Sequence, residues 1–465
     1  MRRRALSLRI RPAIMHLLPH AGLAQPFAYR GRGMMEEQAV GSRSGRWLVK
    51  AARLAAMVWI QIGLALVLFW LVSATAGAVV KRIRHARDVI PAPEEAYRGQ
   101  PWAAQYFDTL SRVHMRWYPY SYWKASPMAS PYLNIDADGN RVTWHPPHRA
   151  VSAERPVVRL FMIGGSTLWG TGVRDDYTLA SLIARHFTDH PAYELDVTNL
   201  GQIGYVNTQE LLLLYQLLRR GQRPDLVIFY DGVNEVFTAY QDGIAGLTQS
   251  EFFRAQEFSI LGSSVGRKRL YRIALRTALM NTGLADLVKL LSGKDDPNLL
   301  PHDIKPSPAL TYLAPPQDFE GIDALERDVV DMYLFNVQVE RMLGERFKFR
   351  PLFYWQPTVF SKNELAPFER RLLPGDPTRA EFFRGTYKKM AEVAAANGIA
   401  DISGILNNRH QLDFIDPYHL NESANQIVAE RMASDIEPIL EQIAREKRAA
   451  GASARRGQGV RRVPG

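Results

Sequence analysis

Short apolar runs that alternate with helical patterns dominate the sequence from residue 156 onward. Strand-forming residues cluster at 157–163, 194–199, 225–230 and 350–356, and helical periodicity recurs at 178–188, 207–219, 377–396 and 421–443. Each apolar run is short and nearly continuous, which is typical of a parallel strand covered on both faces. The alternation predicts an α/β domain with a parallel sheet between two layers of helices. In such sheets ligands bind at the carboxyl ends of the strands.

Two segments do not follow this alternation. Residues 236–349 contain helical patterns at 267–291 and 322–346 around a proline-rich polar loop at 293–318, and we predict a helical insertion or lid. Residues 81–155 form an aromatic-rich arm with one short helix near 102–113, followed by extended and turn structure. Its Trp and Tyr cluster at 117–123 is compatible with sugar stacking or with packing on the domain. Asp136–Asn140 lacks the spacing of a calcium loop and predicts a turn.

An apolar segment near the amino terminus predicts a membrane anchor. Leu54–Val80 contains 27 consecutive uncharged residues, and as a helix it exceeds the roughly 30 Å hydrocarbon thickness of a bilayer. Ala74-Thr75-Ala76 resembles a signal-peptidase site, so a cleaved signal is the alternative. The basic segment 1–53 favours a cytoplasmic amino terminus. We therefore expect a single-pass protein of a bacterial cytoplasmic membrane, with its large domain outside the cytoplasm in the periplasm.

The net charge of +11 is concentrated at the two ends of the chain. Residues 1–53 carry +9 and residues 445–465 carry +6, which leaves −4 for residues 54–444. A mildly acidic body argues against nucleic-acid binding, so no nucleic-acid partner is expected. The chain has no cysteine, which excludes disulfides and thiolate metal sites. The tail 445–465, rich in Ala, Gly and Arg, is expected to be disordered.

Polar and small residues with complementary chemistry fall at the ends of the predicted strands or before the last helix. These are Ser166, Gly204, Asn234, Asp416 and His419. A serine hydroxyl becomes a nucleophile when a histidine takes its proton, and a carboxylate orients that histidine. The backbone amides of Ser166 and Gly204 and the Asn234 side chain can act as oxyanion donors. Taken singly, the serine is also a common helix cap and the asparagine a common turn residue.

This arrangement resembles the SGNH hydrolases, also called the GDSL esterase/lipase family, over residues 157–440 without the insertion. Ser166 in Gly-Gly-Ser-Thr matches the nucleophile block, Gly204 and Asn234 match the second and third blocks, and Asp416 with His419 matches the terminal Asp-x-x-His. Gly165 and Glu235 replace aspartates of the family pattern. The resemblance implies a flavodoxin-like three-layer α/β/α sandwich, ester hydrolysis or acyl transfer, and no cofactor or metal. The α/β-hydrolase signature fits less well, because Leu168 stands where it requires glycine.

We therefore expect a membrane-anchored serine esterase with Ser166, Asp416 and His419 as catalytic residues and Ser166, Gly204 and Asn234 as the oxyanion hole. The expected substrates are O-acyl esters of envelope carbohydrate or lipid, inferred from location and resemblance. One alternative is an O-acyltransferase, in which a sugar hydroxyl replaces water. The other is a non-catalytic carbohydrate-binding or assembly protein with the same fold.

Overall fold

A computed structural model describes residues 43–86, 91–146, 155–251, 254–255, 275, 279, 282–291, 321–373 and 377–459. The chain divides into two compact units, residues 1–69 and 70–465. Within the described residues, the first unit consists of the amino-terminal part of one long helix. The second unit contains the α/β domain and its aromatic-rich arm.

Helix α1 (Arg43–Ala86) contains the predicted membrane segment. Its apolar stretch Val49–Val80 is 32 residues long, or about 48 Å at the helical rise, which is enough to span a bilayer with some tilt. The side chains of this stretch are mostly exposed, including Trp59 and Trp70. The predicted segment 54–80 lies inside it.

The domain is built on a five-stranded parallel sheet. Two short strands of the preceding arm come first in chain order, so the strands of this sheet are β3 (Val157–Gly164), β4 (Glu194–Asn199), β5 (Leu226–Asp231), β6 (Arg350–Trp355) and β7 (Ile399–Asp401). The spatial order is β4-β3-β5-β6-β7, and every neighbouring pair is parallel. This is the 2-1-3-4-5 order of flavodoxin-like folds. The predicted strands are confirmed to within a residue, and β7 was not predicted.

Helices cover both faces of this sheet, as right-handed crossovers require. In chain order, the described helices after the arm are α3 (Ser166–Trp169), α4 (Leu179–His186), α5 (Asn207–Arg219), α6 (Val233–Asp242), α7 (Gly283–Leu291), α8 (Ile322–Phe347), α9 (Pro367–Arg370), α10 (Pro377–Val393) and α11 (Glu422–Gly459). Helices α4 and α11 pack together on one face, and α5, α6, α8 and α10 form the other layer. The three-layer α/β/α architecture is therefore confirmed.

Helix α8 corrects the predicted extent of the insertion. Its residues Val329, Tyr333 and Val337 are buried in the main core, and it packs on β6 and α10. It is therefore the crossover helix between β5 and β6. The insertion or lid predicted for residues 236–349 does not include it. The polar loop predicted at 293–318 lies outside the described residues.

The carboxyl-terminal tail also differs from the prediction, because α11 continues to Gly459. Lys447 bonds to Asp225 and to the Val157 carbonyl oxygen, and Arg445 pairs with Glu441 one turn earlier. Ion pairs between residues four positions apart stabilise this part of the helix, although its composition alone predicts disorder. The expectation of disorder is wrong for 445–459, while 460–465 lie outside the described residues.

The arm contains a 3₁₀ turn (Pro93–Tyr97), α2 (Ala103–Ser111) and an antiparallel hairpin of β1 (Met115–Tyr118) and β2 (Tyr122–Ala125). A second small core joins the arm to the domain and includes Trp102, Tyr106, Trp169 and Ile415. Packing of the arm on the domain is thus confirmed. Asp136–Asn140 is the expected turn, since Asp136 Oδ1 accepts the Asn140 amide at 2.8 Å.

Candidate active site

Ser166 stands at the first turn of α3, directly beyond the carboxyl end of the central strand β3. Its side chain is mostly buried. The loop that follows α3 is fixed by the arm, because the Arg141 guanidinium donates to the carbonyl oxygens of Gly170 and Val173 and pairs with Asp175. The same guanidinium lies 4.6 Å from the Trp169 ring centroid. The arm therefore supports the segment that carries the serine.

A continuous hydrogen-bonded chain joins Ser166, His419 and Asp416, although 253 positions separate the serine from the histidine. Ser166 Oγ lies 2.8 Å from His419 Nε2, and His419 Nδ1 lies 2.6 Å from Asp416 Oδ2. Because the carboxylate can only accept, Nδ1 carries the ring proton and Nε2 accepts from the serine hydroxyl. This is the arrangement in which histidine can remove a proton from serine.

The Asp416 carboxylate also organises the turn that presents His419. Its Oδ1 atom accepts the backbone amides of Tyr418 and His419 at 2.9 and 2.8 Å, and the Ile415 amide donates to the His419 carbonyl oxygen. Burial by itself raises the pKa of this carboxyl, but the facing His419 and these hydrogen bonds more than offset it and lower the pKa below its ordinary value. The group therefore stays ionised.

The Asn234 side chain lies beside the serine turn. Its Nδ2 atom donates to the Tyr205 carbonyl oxygen at 2.6 Å, which leaves its second N–H. A β-carbon at residue 165 would overlap this Nδ2 atom and would come within 3.3 Å of the same carbonyl oxygen. Gly165, Tyr205 and Asn234 therefore meet at one point, next to both Ser166 and Gly204.

Gly204 adopts a left-handed backbone conformation, with φ of +74°. Within the described part of the chain, neither its amide nor the Ser166 amide donates to another protein atom. Together with the second N–H of Asn234, these are the three donors that the sequence predicts for an oxyanion hole. Their catalytic roles stay predictions, but the structure brings their segments to the same strand ends.

Glu235 connects the two segments that carry Gly204 and Asn234. The sequence pattern marks this residue only as a replacement for an aspartate of the SGNH family and does not predict the connection. One carboxylate oxygen accepts the Gly232 amide at 2.7 Å, and the other accepts the Asn207 amide at 2.8 Å. Gly232 opens the turn before Asn234, and Asn207 begins α5 just after Gly204. A glutamate three residues into a helix is the capping-box signal that could have identified this role.

Glu235 belongs to a buried group of four carboxyl side chains beneath the candidate oxyanion hole. The others are Glu210, Asp231 and Glu340. Asn207 Nδ2 donates to both Asp231 and Glu340, and Tyr333 donates to Asp231 at 3.0 Å. Burial, followed by mutual repulsion, raises the pKa of Glu340 and Asp231 well above the ordinary range. Shared protons in this group would satisfy carboxyl oxygens that otherwise lack a donor.

One group of side chains in the described residues has the spacing of a cation site. The ligand atoms of His190, Glu437 and Glu441 all lie within 4.8 Å of one another. His190 follows α4 and the two glutamates lie on α11, so this group shares no residue with the Ser166 site.

Comparison with protein-family models gives no match, and comparison with curated proteins gives no significant match. Among solved structures, similar ones include an acetyl xylan esterase, at 14% identity and a TM-score of 0.31 over 60% of this chain and 100% of its own. A lipase/acylhydrolase from Enterococcus faecalis has 12% identity and a TM-score of 0.29 over 60% and 96%. A lipolytic protein of the G-D-S-L family from Veillonella parvula has 10% identity and a TM-score of 0.29 over 59% and 95%. Values this low do not assign an activity to the chain.

Proposed function

We propose that the protein is a membrane-anchored serine esterase that hydrolyses carboxylic O-acyl esters through an acyl-enzyme intermediate. The observation that carries this proposal is the hydrogen-bonded chain from Ser166 Oγ through His419 to Asp416. In a helix-cap serine, the hydroxyl would instead bond to the backbone of its own turn.

In the first step, Ser166 Oγ attacks the ester carbonyl carbon while His419 Nε2 takes the hydroxyl proton. The tetrahedral oxyanion is held by the Ser166 and Gly204 amides and the second N–H of Asn234. His419 then gives its proton to the departing alkoxide, which leaves as the alcohol, and the acyl group stays on Ser166. Asp416 keeps the ring in the required tautomer and stabilises the imidazolium.

In the second step, water replaces the alcohol. His419 takes a proton from the water, the resulting hydroxide attacks the acyl carbon, and Ser166 leaves with the proton that the imidazolium returns. The products are a carboxylic acid and the free enzyme. A sugar hydroxyl in place of water would give acyl transfer by the same steps.

The site of action is part of the proposal. Helix α1 is long and apolar enough to anchor the chain in a bilayer, and the basic residues before it favour an amino terminus in the cytoplasm. The domain that follows would then act outside a bacterial cytoplasmic membrane, on acylated carbohydrate or lipid esters of the envelope.

The proposal is tested with the full chain in a detergent without sugar groups. The wild type should turn over p-nitrophenyl acetate and be labelled by a fluorophosphonate at Ser166, identified by mass spectrometry. Ser166→Ala should lose both reactions, and His419→Ala should lose as much activity as the double variant, because the two residues act as one unit. A folded wild type that neither turns over the ester nor takes the label would refute the esterase and favour a binding protein.

A further inference from the structure

The β1–β2 hairpin is fixed to the segment that carries Gly204. Trp123 Nε1 donates to the Ile203 carbonyl oxygen at 2.7 Å, and the Ala125 amide donates to Gln202 Oε1. The Tyr205 hydroxyl bonds to Ser121 and to the Trp123 carbonyl oxygen. The Trp123 ring would lie 3.5 Å from a β-carbon at Gly204. The hairpin is thus a rigid wall beside the candidate oxyanion hole.

The tip of this hairpin presents aromatic rings to solvent. Trp117 and Tyr120 are 72% and 76% exposed, while the rings of Trp117, Tyr122 and Trp123 follow one another at centroid distances of 5.8 and 6.4 Å. Tyr120 and Tyr122 have φ of +68° and +70°. For bulky residues such values are strained, and strain of this kind is retained mainly at functional sites.

A segment after α6 adds a polar group to the same wall. Tyr122 donates to Glu251, and the Arg254 guanidinium lies 4.3 Å from the Trp123 ring centroid and donates to the Gln249 carbonyl oxygen. The Gln249 side chain lies over Gly204, where its Oε1 atom would overlap a β-carbon at residue 204. Within the described residues, this side-chain amide has no protein hydrogen-bond partner, so its donors and acceptor are available to a ligand.

The chemistry of the wall favours a hydroxyl-rich ring over an acyl chain. Residues 116–124 read RWYPYSYWK and contain no aliphatic side chain other than proline. Trp and Tyr offer flat apolar faces with polar edges, and the Gln249 amide adds a donor and an acceptor. A lipid chain would instead be expected to meet Leu, Ile or Val.

From this geometry we propose that Trp117, Tyr120 and Gln249 form a saccharide-binding subsite for the alcohol part of the ester. The inference rests on the proposed esterase, because it places the sugar next to the acyl group that Ser166 attacks. The exposed rings stack on sugar rings beyond the ester, and the Gln249 amide bonds to a hydroxyl near the reacting carbon.

The kinetic test compares p-nitrophenyl acetate with O-acetylated oligosaccharides of one to four sugar units, using the full chain in the same detergent. Trp117→Ala should lower kcat/KM for the longer oligosaccharides at least tenfold and change turnover of the small ester less than twofold. Gln249→Ala should lower kcat/KM for the longer oligosaccharides at least tenfold more than it lowers kcat/KM for the small ester. The control is Phe335→Ala, which removes an exposed aromatic ring on α8. Equal effects on both substrates, or no effect on either, would overturn the subsite.

A binding test separates this inference from the esterase itself. In the Ser166→Ala background, an acetylated tetrasaccharide should change tryptophan fluorescence with a Kd that rises at least tenfold on adding Trp117→Ala or Gln249→Ala. Binding of this kind would support the subsite even if the wild type showed no ester turnover. No binding, alongside a wild type that turns over p-nitrophenyl acetate, would overturn the subsite and leave the esterase standing.

A membrane contact is the competing use of exposed Trp and Tyr. In proteoliposomes, brominated lipids quench tryptophans that reach the acyl region. If Trp117→Phe removes part of that quenching, the hairpin lies in the bilayer and the saccharide subsite is overturned. Equal quenching in wild type and variant supports the subsite.

Discussion

The Asn234 side-chain nitrogen occupies the space that any side chain at position 165 would need. A β-carbon on Gly165 would overlap Nδ2, the same atom that donates to the Tyr205 carbonyl oxygen. The absence of a side chain immediately before Ser166 is thus a condition for the position of Asn234. Glycine at position 165 therefore has a steric cause in this structure.

Gly165→Ala should therefore displace Asn234 and lower kcat by about 10²–10³, the range for loss of one oxyanion donor, with little change in KM. Steady-state kinetics on p-nitrophenyl acetate measures this. In the Gly165→Ala variant, a second substitution Asn234→Ala should lower kcat little further, because the Asn234 amide is already displaced. Gly451→Ala, which meets no atom within 4 Å, is the control. Full activity in Gly165→Ala would show that the amide is not an oxyanion donor.

Glu235→Gln should lower kcat while leaving the fold intact. The glutamine places an NH₂ group against either the Gly232 or the Asn207 amide, so one buried donor loses its acceptor at a cost of about 1–3 kcal/mol. The two segments that bear Gly204 and Asn234 are then free to separate. Kinetics and thermal unfolding together check this, with exposed Glu430→Gln as the control. A loss of stability with unchanged kcat would assign Glu235 a structural role only.

Asp416 should stabilise the folded protein at neutral pH and lose that contribution in acid. Its folded-state pKa is lowered, so the contribution is complete above the ordinary carboxyl pKa of 3.8 and disappears as pH falls through the lower folded-state value. The Tm difference between wild type and Asp416→Asn should be constant from pH 7 to about pH 5 and shrink below pH 4. A difference that grows in acid would contradict the ionised assignment.

Glu340 should change the stability of the folded protein with the opposite pH dependence to that of Asp416. Burial raises its pKa, so the folded state favours the protonated form, and stability decreases as pH rises above the ordinary carboxyl range. Glu340→Gln keeps the shape of the neutral acid and still offers an acceptor to Asn207. Its Tm should fall less than that of the wild type between pH 5 and pH 8. Parallel pH profiles for the two proteins would show that Glu340 is not the titrating group.

The sequence by itself determined the α/β class, the apolar helix and most of the strand and helix positions, because hydrophobic periodicity is a local property. It also singled out Ser166 and Asn234 as candidates, since strand ends in a parallel sheet meet at one edge, and Asp416 with His419 as candidates before the last helix. It did not assign α8 to the core, because an amphipathic helix looks the same in a lid and in a crossover.

Only the tertiary structure decided which groups touch. Three contacts join segments that are distant in sequence or act through backbone atoms. They are the overlap of Asn234 with a β-carbon at Gly165, the hydrogen bonds of Glu235 to Gly232 and Asn207, and the placement of Gln249 over Gly204. The same holds for the aromatic cluster at 117–123, which composition left open between packing and binding. Trp123 packs beside Gly204 while Trp117 stays exposed, and this difference arises from how the hairpin lies on the domain.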